Sequence, residues 1–228
     1  MTIKSSSGNI PDYIPVITAD GSATLFTSQY RAHYHSLNGA LQESLHIFIN
    51  AGFNYIKKPE IKVLEVGYGT GLNALLTAIE ADKRRVKTIY HGIDKHPLTS
   101  KLIDQLNYQS NLDNQGGLFL EKIKSAPWNE IFLVNSFFTI LKIDADIIKY
   151  DIPESFDVIY FDAFAPDDQP EIWQPEVFKK LFSCLHPNGI LVTYCSKGIV
   201  KRTLRDTGFS VERLSGPPGK RHMIRAIK

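Results

Sequence analysis

Apolar residues along the chain follow two different spacings. The group Ala40, Leu41, Leu45, Phe48 and Ile49 recurs at helical spacing, which predicts a helix. After about residue 59, short apolar runs typical of buried strands alternate with helical stretches. The predicted strands are residues 61–67, 86–94, 137–143, 156–164, 189–196, one that opens at residue 208, and 221–227. The predicted helices are 72–81, one that begins at residue 97, 118–135, 175–185 and 199–207.

This alternation predicts the fold class. Strands that alternate with helices form a mainly parallel sheet with helices on both faces. Residues 216–219, between the last two strands, leave no room for a helix, so these strands are predicted to form an antiparallel hairpin. The sequence therefore predicts an α/β fold with a seven-stranded, mostly parallel sheet and a C-terminal antiparallel hairpin. Residues 1–58 are predicted as an N-terminal extension, a hairpin-like stretch and a helix that pack on the core domain, residues 59–228.

Composition narrows the class of protein. A chain of 228 residues, 43% hydrophobic and 22% charged, fits one soluble globular domain. No apolar run approaches the ~20 residues that span a bilayer, and the first residues lack the basic and apolar stretches of a secretory signal. Cys184 and Cys195 fit no metal or redox spacing and are expected as reduced core thiols. We expect a cytoplasmic protein that binds no membrane and no metal.

Charge is unevenly distributed along the chain. The formal net charge is +2, but residues 197–228 contain nine Lys or Arg and two acidic residues, so this segment carries +7 and the rest −5. A basic end on an acidic body fits a face that meets a polyanion. It fits a solvated helix face and loop equally well, and charge alone favours neither.

The most specific motif is a glycine-rich turn between a predicted strand and a predicted helix. Glu65 is followed by Gly67, Gly69 and Gly71 at every second position. Glycines let the backbone approach a ligand closely, and ligands of such sheets bind beyond the carboxyl ends of the strands. The third glycine of a dinucleotide-binding turn would fall at Leu72. The pattern instead matches the turn that binds S-adenosylmethionine (SAM).

Three carboxylates lie at the sequence positions where residues that bind the polar groups of SAM are expected. Glu65 suits the ammonium group, Asp94 at the end of the next strand suits the ribose hydroxyls, and Asp146 after the third strand suits the adenine amino group. Each feature alone also fits a plain turn or a helix cap, whereas their order along one alternating pattern predicts a SAM site. The predicted cofactor-binding residues are Glu65, Gly67, Tyr68, Gly69, Thr70, Gly71, Asn73, Asp94, Lys95, Asp146 and Asp162.

The fourth predicted strand ends in a carboxylate, an aromatic residue and a proline: Asp162, Phe164 and Pro166. Methyl transfer to nitrogen requires a neutral amine held about 3–3.5 Å from the methyl group, and the nitrogen becomes cationic as the bond forms. A fixed carboxylate stabilises that charge, which predicts Asp162 as the catalytic residue; the alternative is a loop cap. Whether Asp162 also takes the proton stays open, because a carboxyl group with an ordinary pKa near ~4 is a poor match for an ammonium.

Five segments of the chain together resemble one protein family. They are LEVGYGTGLNALL, GIDKHPLT, YFDAFAPDDQPEIW, TYCSKGIVKRTLRDTGF and GPPGKRHM. From about Ser22 to Ile227 the chain is similar to the methyltransferase that completes 5-methylaminomethyl-2-thiouridine at the wobble position of tRNA. The resemblance implies the Rossmann-like fold of class I SAM-dependent methyltransferases and methyl transfer from SAM to the aminomethyl nitrogen on uridine 34. It also implies that Asp162 lies near that amine and that the partner is the tRNA anticodon stem-loop.

The chain departs from the form of this family that is common in bacteria. There the domain is fused to a FAD-dependent oxidoreductase that first removes a carboxymethyl group, whereas this sequence ends at Lys228. It therefore resembles the standalone form, and we expect an upstream enzyme to supply the aminomethyl group. Asp94 and Lys95 stand where the fused form usually has Glu-Lys, and residues 34–44 resemble the standalone members.

Substrate contacts are predicted beside the cofactor turn and in the last loop. His33, His35 and His46 lack the spacing of metal ligands, so surface or substrate contacts are expected instead. The last loop suits phosphate contacts or is simply an exposed basic turn. The predicted substrate-binding residues are Tyr34, His35, Phe164, Pro166, Ser196, Lys197, Lys220 and Arg221.

Two other functions fit parts of the sequence. One is SAM-dependent N-methylation of a small-molecule amine, and the other is a non-catalytic SAM-fold binding module. The complete glycine turn with its carboxylates and Asp162 argues against a non-catalytic module. The basic C-terminal segment favours RNA, because such a surface would repel a small cationic amine.

Overall fold

The structure is a computed structural model that describes residues 13–228. The first twelve residues of the predicted N-terminal extension lie outside the described residues. The rest of the extension contains an antiparallel three-stranded sheet, β1 (Tyr13–Ile17), β2 (Ala23–Thr27) and β3 (Ala32–His33). Helix α1 (Ala40–Ser44) follows and continues as a π-helical segment, Leu45–Asn50.

The turn between β1 and β2 caps the N-terminus of α1. The Ala40 N–H donates to Thr18 Oγ1 at 3.2 Å, and the Gln42 N–H donates to Asp20 Oδ2 at 2.9 Å. The first N–H groups of a helix lack partners within the helix, and side-chain oxygens supply them here. The small sheet and the helix of the extension are thus fixed to each other.

Residues 60–228 contain an eight-stranded sheet, five α-helices and two short 3-10 helices, Asn107–Asn111 and Pro170–Trp173, within the described part of the chain. In chain order the strands and α-helices are β4 (Glu60–Val66), α2 (Leu72–Arg84), β5 (Lys87–Asp94), α3 (Ser100–Ile103), α4 (Asn114–Ser125), β6 (Ile131–Asn135), β7 (Phe138–Asp144), β8 (Phe156–Phe161), α5 (Pro175–Ser183), β9 (Leu185–Thr193), α6 (Gly198–Thr207), β10 (Ser210–Ser215) and β11 (His222–Ile227). The strand order is β10-β11-β9-β8-β4-β5-β7-β6. The five strands from β9 to β7 are parallel, and β6 and β11 run antiparallel to their neighbours. The predicted α/β fold with a mostly parallel sheet and an antiparallel C-terminal hairpin is confirmed.

The sheet has one strand more than the seven predicted. Residues 118–135 were expected as one helix, but α4 ends at Ser125 and the segment after it turns into β6, which pairs with β7 at the edge of the sheet. Val134 is buried, whereas Ile131 and Leu133 are 75% and 65% exposed. Apolar residues on both faces of an edge strand hide the alternation that identifies a strand. Helix α3 begins at Ser100, and the prediction that it starts at Pro97 was also wrong.

The extension and the main sheet share one hydrophobic core. Ile47, Phe48 and Phe53 are fully buried and lie in the same cluster as Val63 and Tyr160 of the sheet. On the other face, a second cluster contains residues of α5 and α6. The chain passes from β4 through β5 and β7 before it returns to the opposite side of β4 as β8. A ligand site is expected where the strand order switches in this way, at the carboxyl ends of β4, β5 and β8.

None of the helices within residues 13–228 has the length and apolar character needed to pass through a bilayer.

Candidate functional site

A cavity of about 270 Å³ opens at the carboxyl ends of β4, β5, β7 and β8. Its lining combines parts of the core domain with parts of the extension. The core contributes Val66, Gly67, Gly69, Ile93, Asp94, Lys95, His96, 145–148, 162–165, Asp168, Gln169, Glu171, Ile172, Tyr194 and Lys220, and the extension contributes Gln29, Tyr30, 32–36 and Glu43.

The turn formed by residues 67–71, here called the glycine turn, requires glycine for backbone reasons. Gly67, Gly69 and Gly71 have φ values of +88°, +50° and +77°, a region that costs free energy for residues with a Cβ. A Cβ on Gly67 would lie 2.6 Å from the backbone oxygen of Asp162, and one on Gly69 would lie 3.0 Å from the Tyr34 ring. The turn is therefore packed closely against the end of β8 and against the extension.

Asp94 fixes the shape of the glycine turn from the end of β5. Its Oδ2 accepts a hydrogen bond from the Gly69 N–H at 2.8 Å, and its Oδ1 accepts one from the His96 N–H at 2.8 Å. Burial raises the pKa of Asp94, although both backbone N–H groups act to lower it. A carboxylate has about four acceptor positions, so Asp94 keeps acceptor capacity toward the cavity that it lines.

Asp146 and Lys95 form an ion pair on the cavity wall. Lys95 Nζ lies 2.9 Å from Asp146 Oδ2, and the Ile148 N–H donates to Asp146 Oδ1 at 3.0 Å. Burial acts to raise the pKa of Asp146, but the hydrogen bonds from Lys95 and Ile148 outweigh it and the pKa is lowered. Asp146 is thus an ionised acceptor at the end of the cavity beyond β7.

Glu65 lies beneath the glycine turn and does not line the cavity. Its side chain is fully buried, Oε1 accepts from Asn73 Nδ2 at 2.8 Å, and Oε2 accepts from the Tyr90 hydroxyl at 2.7 Å. Burial raises its pKa well above the ordinary value. Glu65, which was predicted to contact the ammonium group of SAM, thus lies outside the cavity lining, and so does Asn73, another predicted cofactor residue.

Three other residues of the predicted cofactor set also point away from the large cavity. Tyr68, Thr70 and Gly71 line a separate cavity of about 30 Å³ behind the turn. The Tyr68 ring packs edge-on against Trp128 with 5.5 Å between centroids, and Thr70 Oγ1 lies 2.9 Å from the Tyr108 hydroxyl. The side chains of Tyr68 and Thr70 thus support the turn from behind.

Asp162 follows the last residue of β8 and faces the cavity. Its Oδ2 accepts a hydrogen bond from Asn73 Nδ2 at 2.8 Å. Burial and the nearby charge of Glu43 raise its pKa to about 7, while Asn73 and Lys220 act to lower it. A carboxyl group with this pKa is a far better proton acceptor near neutral pH than an ordinary one. The chemical argument against Asp162 as a base therefore does not apply at this site.

Three aromatic side chains, Tyr30, Tyr34 and Phe164, form one side of the cavity and are here called the aromatic wall. Tyr30 stacks on Phe164 with 4.5 Å between ring centroids, and Tyr34 meets Phe164 edge-on at 5.0 Å. Trp173 Nε1 donates to the Phe164 backbone oxygen at 2.8 Å and holds the loop in place. Flat aromatic surfaces of this kind bind planar rings, including unstacked bases.

Several polar residues meet beside Asp162, and two of them, Glu43 and Tyr194, were not predicted from the sequence. Glu43 pairs with Lys220, whose Nζ lies 4.0 Å from the centroid of the Tyr194 ring. His35 is close by, but its Nδ1 lies 3.0 Å from Thr24 Oγ1 and burial lowers its pKa to about 4, so it is neutral near pH 7. Tyr194 directly follows β9 at the same edge of the sheet, a signal that could have identified it.

The remaining predicted substrate residues are spread over the structure. Pro166, Ser196 and Lys197 lie outside the cavity lining, and Lys197 pairs with Asp167. Arg221 is exposed. Lys220 was predicted as a substrate-binding residue, in a loop that either contacts phosphate or is an exposed basic turn. Its side chain turns inward to Glu43 and lines the cavity, because a buried carboxylate and an aromatic face attract it.

Within residues 13–228, no group of three or more His, Cys, Asp or Glu side chains is arranged to hold a metal ion. The cavity does fit the groups of SAM. The carboxylates of Asp94, Asp146 and Asp162 suit hydroxyl, amino and cationic groups, and Gly67 and Gly69 expose bare backbone to the cavity.

Comparison with known proteins agrees with this assignment. The S-adenosyl-L-methionine-dependent methyltransferase family matches residues 130–228. A tRNA 5-methylaminomethyl-2-thiouridine biosynthesis bifunctional protein, MnmC, of Cupriavidus necator is 30% identical over 92% of this chain and 33% of its own length. The protein of the same name from Legionella pneumophila is 26% identical over 93% of this chain and 37% of its own length. The chain thus spans about one third of the length of these relatives.

The fold is also found in a solved structure. The crystal structure of MNMC2 from Aquifex aeolicus superposes with a TM-score of 0.77 at 23% identity, covering 96% of this chain and 71% of that one. The fold, the glycine turn and the matches to relatives agree with one another. The chain has the class I fold of SAM-dependent methyltransferases, its C-terminal part matches that family, and it is similar to the methyltransferase part of the MnmC proteins.

Proposed function

We propose that this protein transfers a methyl group from SAM to the amine of 5-aminomethyl-(2-thio)uridine at wobble position 34 of tRNA, giving 5-methylaminomethyl-(2-thio)uridine. One observation carries the proposal: Asp162, whose pKa is raised to about 7, lies between the glycine turn and the aromatic wall. The names of the relatives support the choice of substrate.

Each part of the cavity has a role in this reaction. SAM, when bound, supplies an electrophilic methyl group, and Asp94, Asp146 and the glycine turn are the residues that would hold it. The aromatic wall would hold the uracil ring, which a single-stranded anticodon loop can present at little cost. Asp162 accepts one proton from the substrate ammonium, so that the nitrogen gains a free lone pair. Asn73 donates to Asp162 and keeps its carboxylate in one orientation.

The extension would complete the substrate end of the cavity. Its described part contributes Tyr30, Tyr34 and Glu43 to the lining, and we propose residues 1–58 as a unit added to a core domain of residues 59–228. The partner would be the anticodon stem-loop of tRNA, which places the reaction in the cytoplasm. An upstream enzyme would supply the aminomethyl group.

The proposal is tested with purified protein, methyl-labelled SAM and anticodon stem-loops. We expect methylation of a stem-loop that bears 5-aminomethyluridine at position 34 and none of a stem-loop with unmodified uridine. In a strain that lacks the protein, mass spectrometry of tRNA nucleosides should show accumulated 5-aminomethyluridine derivatives. An unchanged nucleoside profile, together with turnover of a small amine alone, would assign the enzyme to small-molecule amines instead.

A further inference from the structure

The large cavity contains an ion pair that the mechanism above does not use. Lys220 Nζ pairs with Glu43 Oε1, and the two side chains come from the β10–β11 loop and from α1. Glu43 is 7% exposed, and its Oε2 accepts from the Ser36 N–H at 2.8 Å. Removing two charges from water costs free energy that their attraction often fails to recover. Their place in a cavity wall therefore points to a function in the reaction rather than to stability.

The surroundings of the Lys220 ammonium are those of a binding site for a cationic amine. Its Nζ lies 4.0 Å from the centroid of the Tyr194 ring, and a carboxylate together with an aromatic face is a common way of binding ammonium groups. The Tyr194 hydroxyl donates to the backbone oxygen of Ala163 at 2.9 Å, which fixes the ring beside Asp162. Glu43 raises the pKa of Asp162 and Lys220 lowers it, so both charges lie close to the proton acceptor.

We propose that Glu43 and the Tyr194 ring select an amine-bearing substrate, and that the substrate ammonium replaces Lys220 on Glu43 when it binds. This inference rests on the proposed function. Replacement of one cation by another leaves the buried Glu43 carboxylate paired at every stage, which avoids the cost of an isolated buried charge. Lys220 follows the exposed Pro218 and Gly219, and its long, flexible side chain can turn into solvent.

The exchange predicts opposite effects for the two members of the pair. Glu43→Gln removes the carboxylate that binds the amine and should weaken binding of an amine-bearing stem-loop by about tenfold or more, as expected for a hydrogen bond to a charged group. Lys220→Met removes the competing cation and should tighten the same binding by about twofold or more. Neither variant should alter binding of a stem-loop with 5-hydroxymethyluridine, because a hydroxyl group does not replace a cation.

The experiment measures dissociation constants of both stem-loops, carrying 5-aminomethyluridine or 5-hydroxymethyluridine at position 34, with S-adenosylhomocysteine present so that no turnover occurs. Lys62→Met is the matched control, since Lys62 also forms a half-buried ion pair, with Glu154 at 2.6 Å, outside the cavity lining. The double variant Glu43→Gln/Lys220→Met leaves no unpaired charge and tests the idea if a single variant fails to fold. It should bind both stem-loops equally well.

The outcomes separate the two proposals. If the wild-type enzyme methylates the amine stem-loop but Glu43→Gln keeps the wild-type ratio of the two dissociation constants, the selection role is wrong and the proposed function stands. If Lys220→Met weakens the binding of both stem-loops equally, Lys220 contacts a phosphate, and replacement of Lys220 by the substrate ammonium is excluded. If the wild type neither methylates the amine stem-loop nor distinguishes the two, the proposed function and this inference fail together.

Discussion

Asp162 Oδ2 accepts a hydrogen bond of 2.8 Å from Nδ2 of Asn73, in the first turn of α2. The same nitrogen donates to Glu65 at 2.8 Å, so one carboxamide joins the buried carboxylate beneath the glycine turn to the reactive one above it. Asn73 Oδ1 is buried without a hydrogen-bond partner among the described residues. Because α2 begins directly after the turn, a ligand that orders the turn also orders the donor to Asp162.

The first prediction concerns the pH dependence of the reaction. In wild type, kcat/KM should rise with pH with a midpoint near 7, because Asp162 accepts a proton only when ionised and its pKa is about 7. Asn73→Ala removes a hydrogen bond that lowers this pKa, so the midpoint should move to higher pH. Asn54→Ala, which removes the acceptor of an Arg84 hydrogen bond elsewhere, should leave the midpoint in place. If the midpoint does not move in Asn73→Ala, the group that titrates in the pH profile is not Asp162.

The second prediction concerns Asp162→Asn, which should keep SAM binding and lose most methyl transfer. A neutral amide accepts no proton and stabilises a forming ammonium poorly, and one oriented group of this kind contributes about 100- to 1000-fold in rate. Single-turnover assays measure the loss. A variant within about threefold of wild type would exclude a catalytic role for Asp162, given the size of that contribution.

The same substitution also predicts a stability change with a definite sign. The pKa of Asp162 rises from 3.8 to about 7 on folding, so between these pH values the folded protein binds more protons than the unfolded one. The contribution of Asp162 to the free energy of unfolding is then full below pH 3.8 and is lost as pH rises through about 7. Asparagine does not ionise, so Asp162→Asn does not lose stability in this way as pH rises. Its Tm relative to wild type should therefore increase from pH 5 to pH 8, and a difference that stays constant would contradict the raised pKa.

The pattern of apolar residues predicted the fold well because most strands are buried on both faces. Residues 156–161 of β8 are all buried, and residues 158–161 form a continuous apolar run. Strand β6 was missed because Ile131 and Leu133 face outward at the edge of the sheet. A strand at the edge of a sheet can be identified from local sequence only when its apolar and polar residues alternate. Which residues of β6 are buried depends instead on the elements that pack beside it.

The candidate site was predicted in part for a similar reason. Asp94, Asp146 and Asp162 follow predicted strands, so topology alone brings them to one edge of the sheet. Glu43 lies on α1, where a carboxylate at helical spacing normally faces solvent. Only the packing of the extension on the core turns it into the cavity, and no local pattern contains that information.

The third prediction tests the glycine turn as the SAM site. Gly69→Val should abolish SAM binding in calorimetry, because a side chain at φ +50° is strained and its Cβ would lie 3.0 Å from the Tyr34 ring. The circular dichroism spectrum should remain that of a folded protein. Gly198→Ala is the matched control: its Cβ would meet no atom closer than 3.6 Å, and SAM affinity should not change. Full affinity in Gly69→Val would place the cofactor elsewhere.

The last prediction concerns the basic C-terminal segment, residues 197–228. Its charge of +7 overstates the surface available to RNA, because Lys197, Lys220 and Arg225 are paired with Asp167, Glu43 and Glu212. Arg202 on α6 and Arg221 in the loop between β10 and β11 are exposed. They are therefore better candidates for phosphate contacts than Lys220.

Arg202→Ala with Arg221→Ala should weaken tRNA binding and leave SAM affinity unchanged. Each lost phosphate contact should reduce the slope of log affinity against log salt by roughly 0.7 to 0.9, so the double variant should lose roughly 1.4 to 1.8. The matched control is Lys83→Ala with Lys87→Ala, two exposed cations in the last turn of α2 and at the start of β5, which lie at the opposite edge of the sheet from the cavity. Equal slopes in the two double variants would mean that the RNA approaches from another side. If the slope is smaller only in the Arg202 and Arg221 variant, this surface binds the phosphates that flank the wobble base.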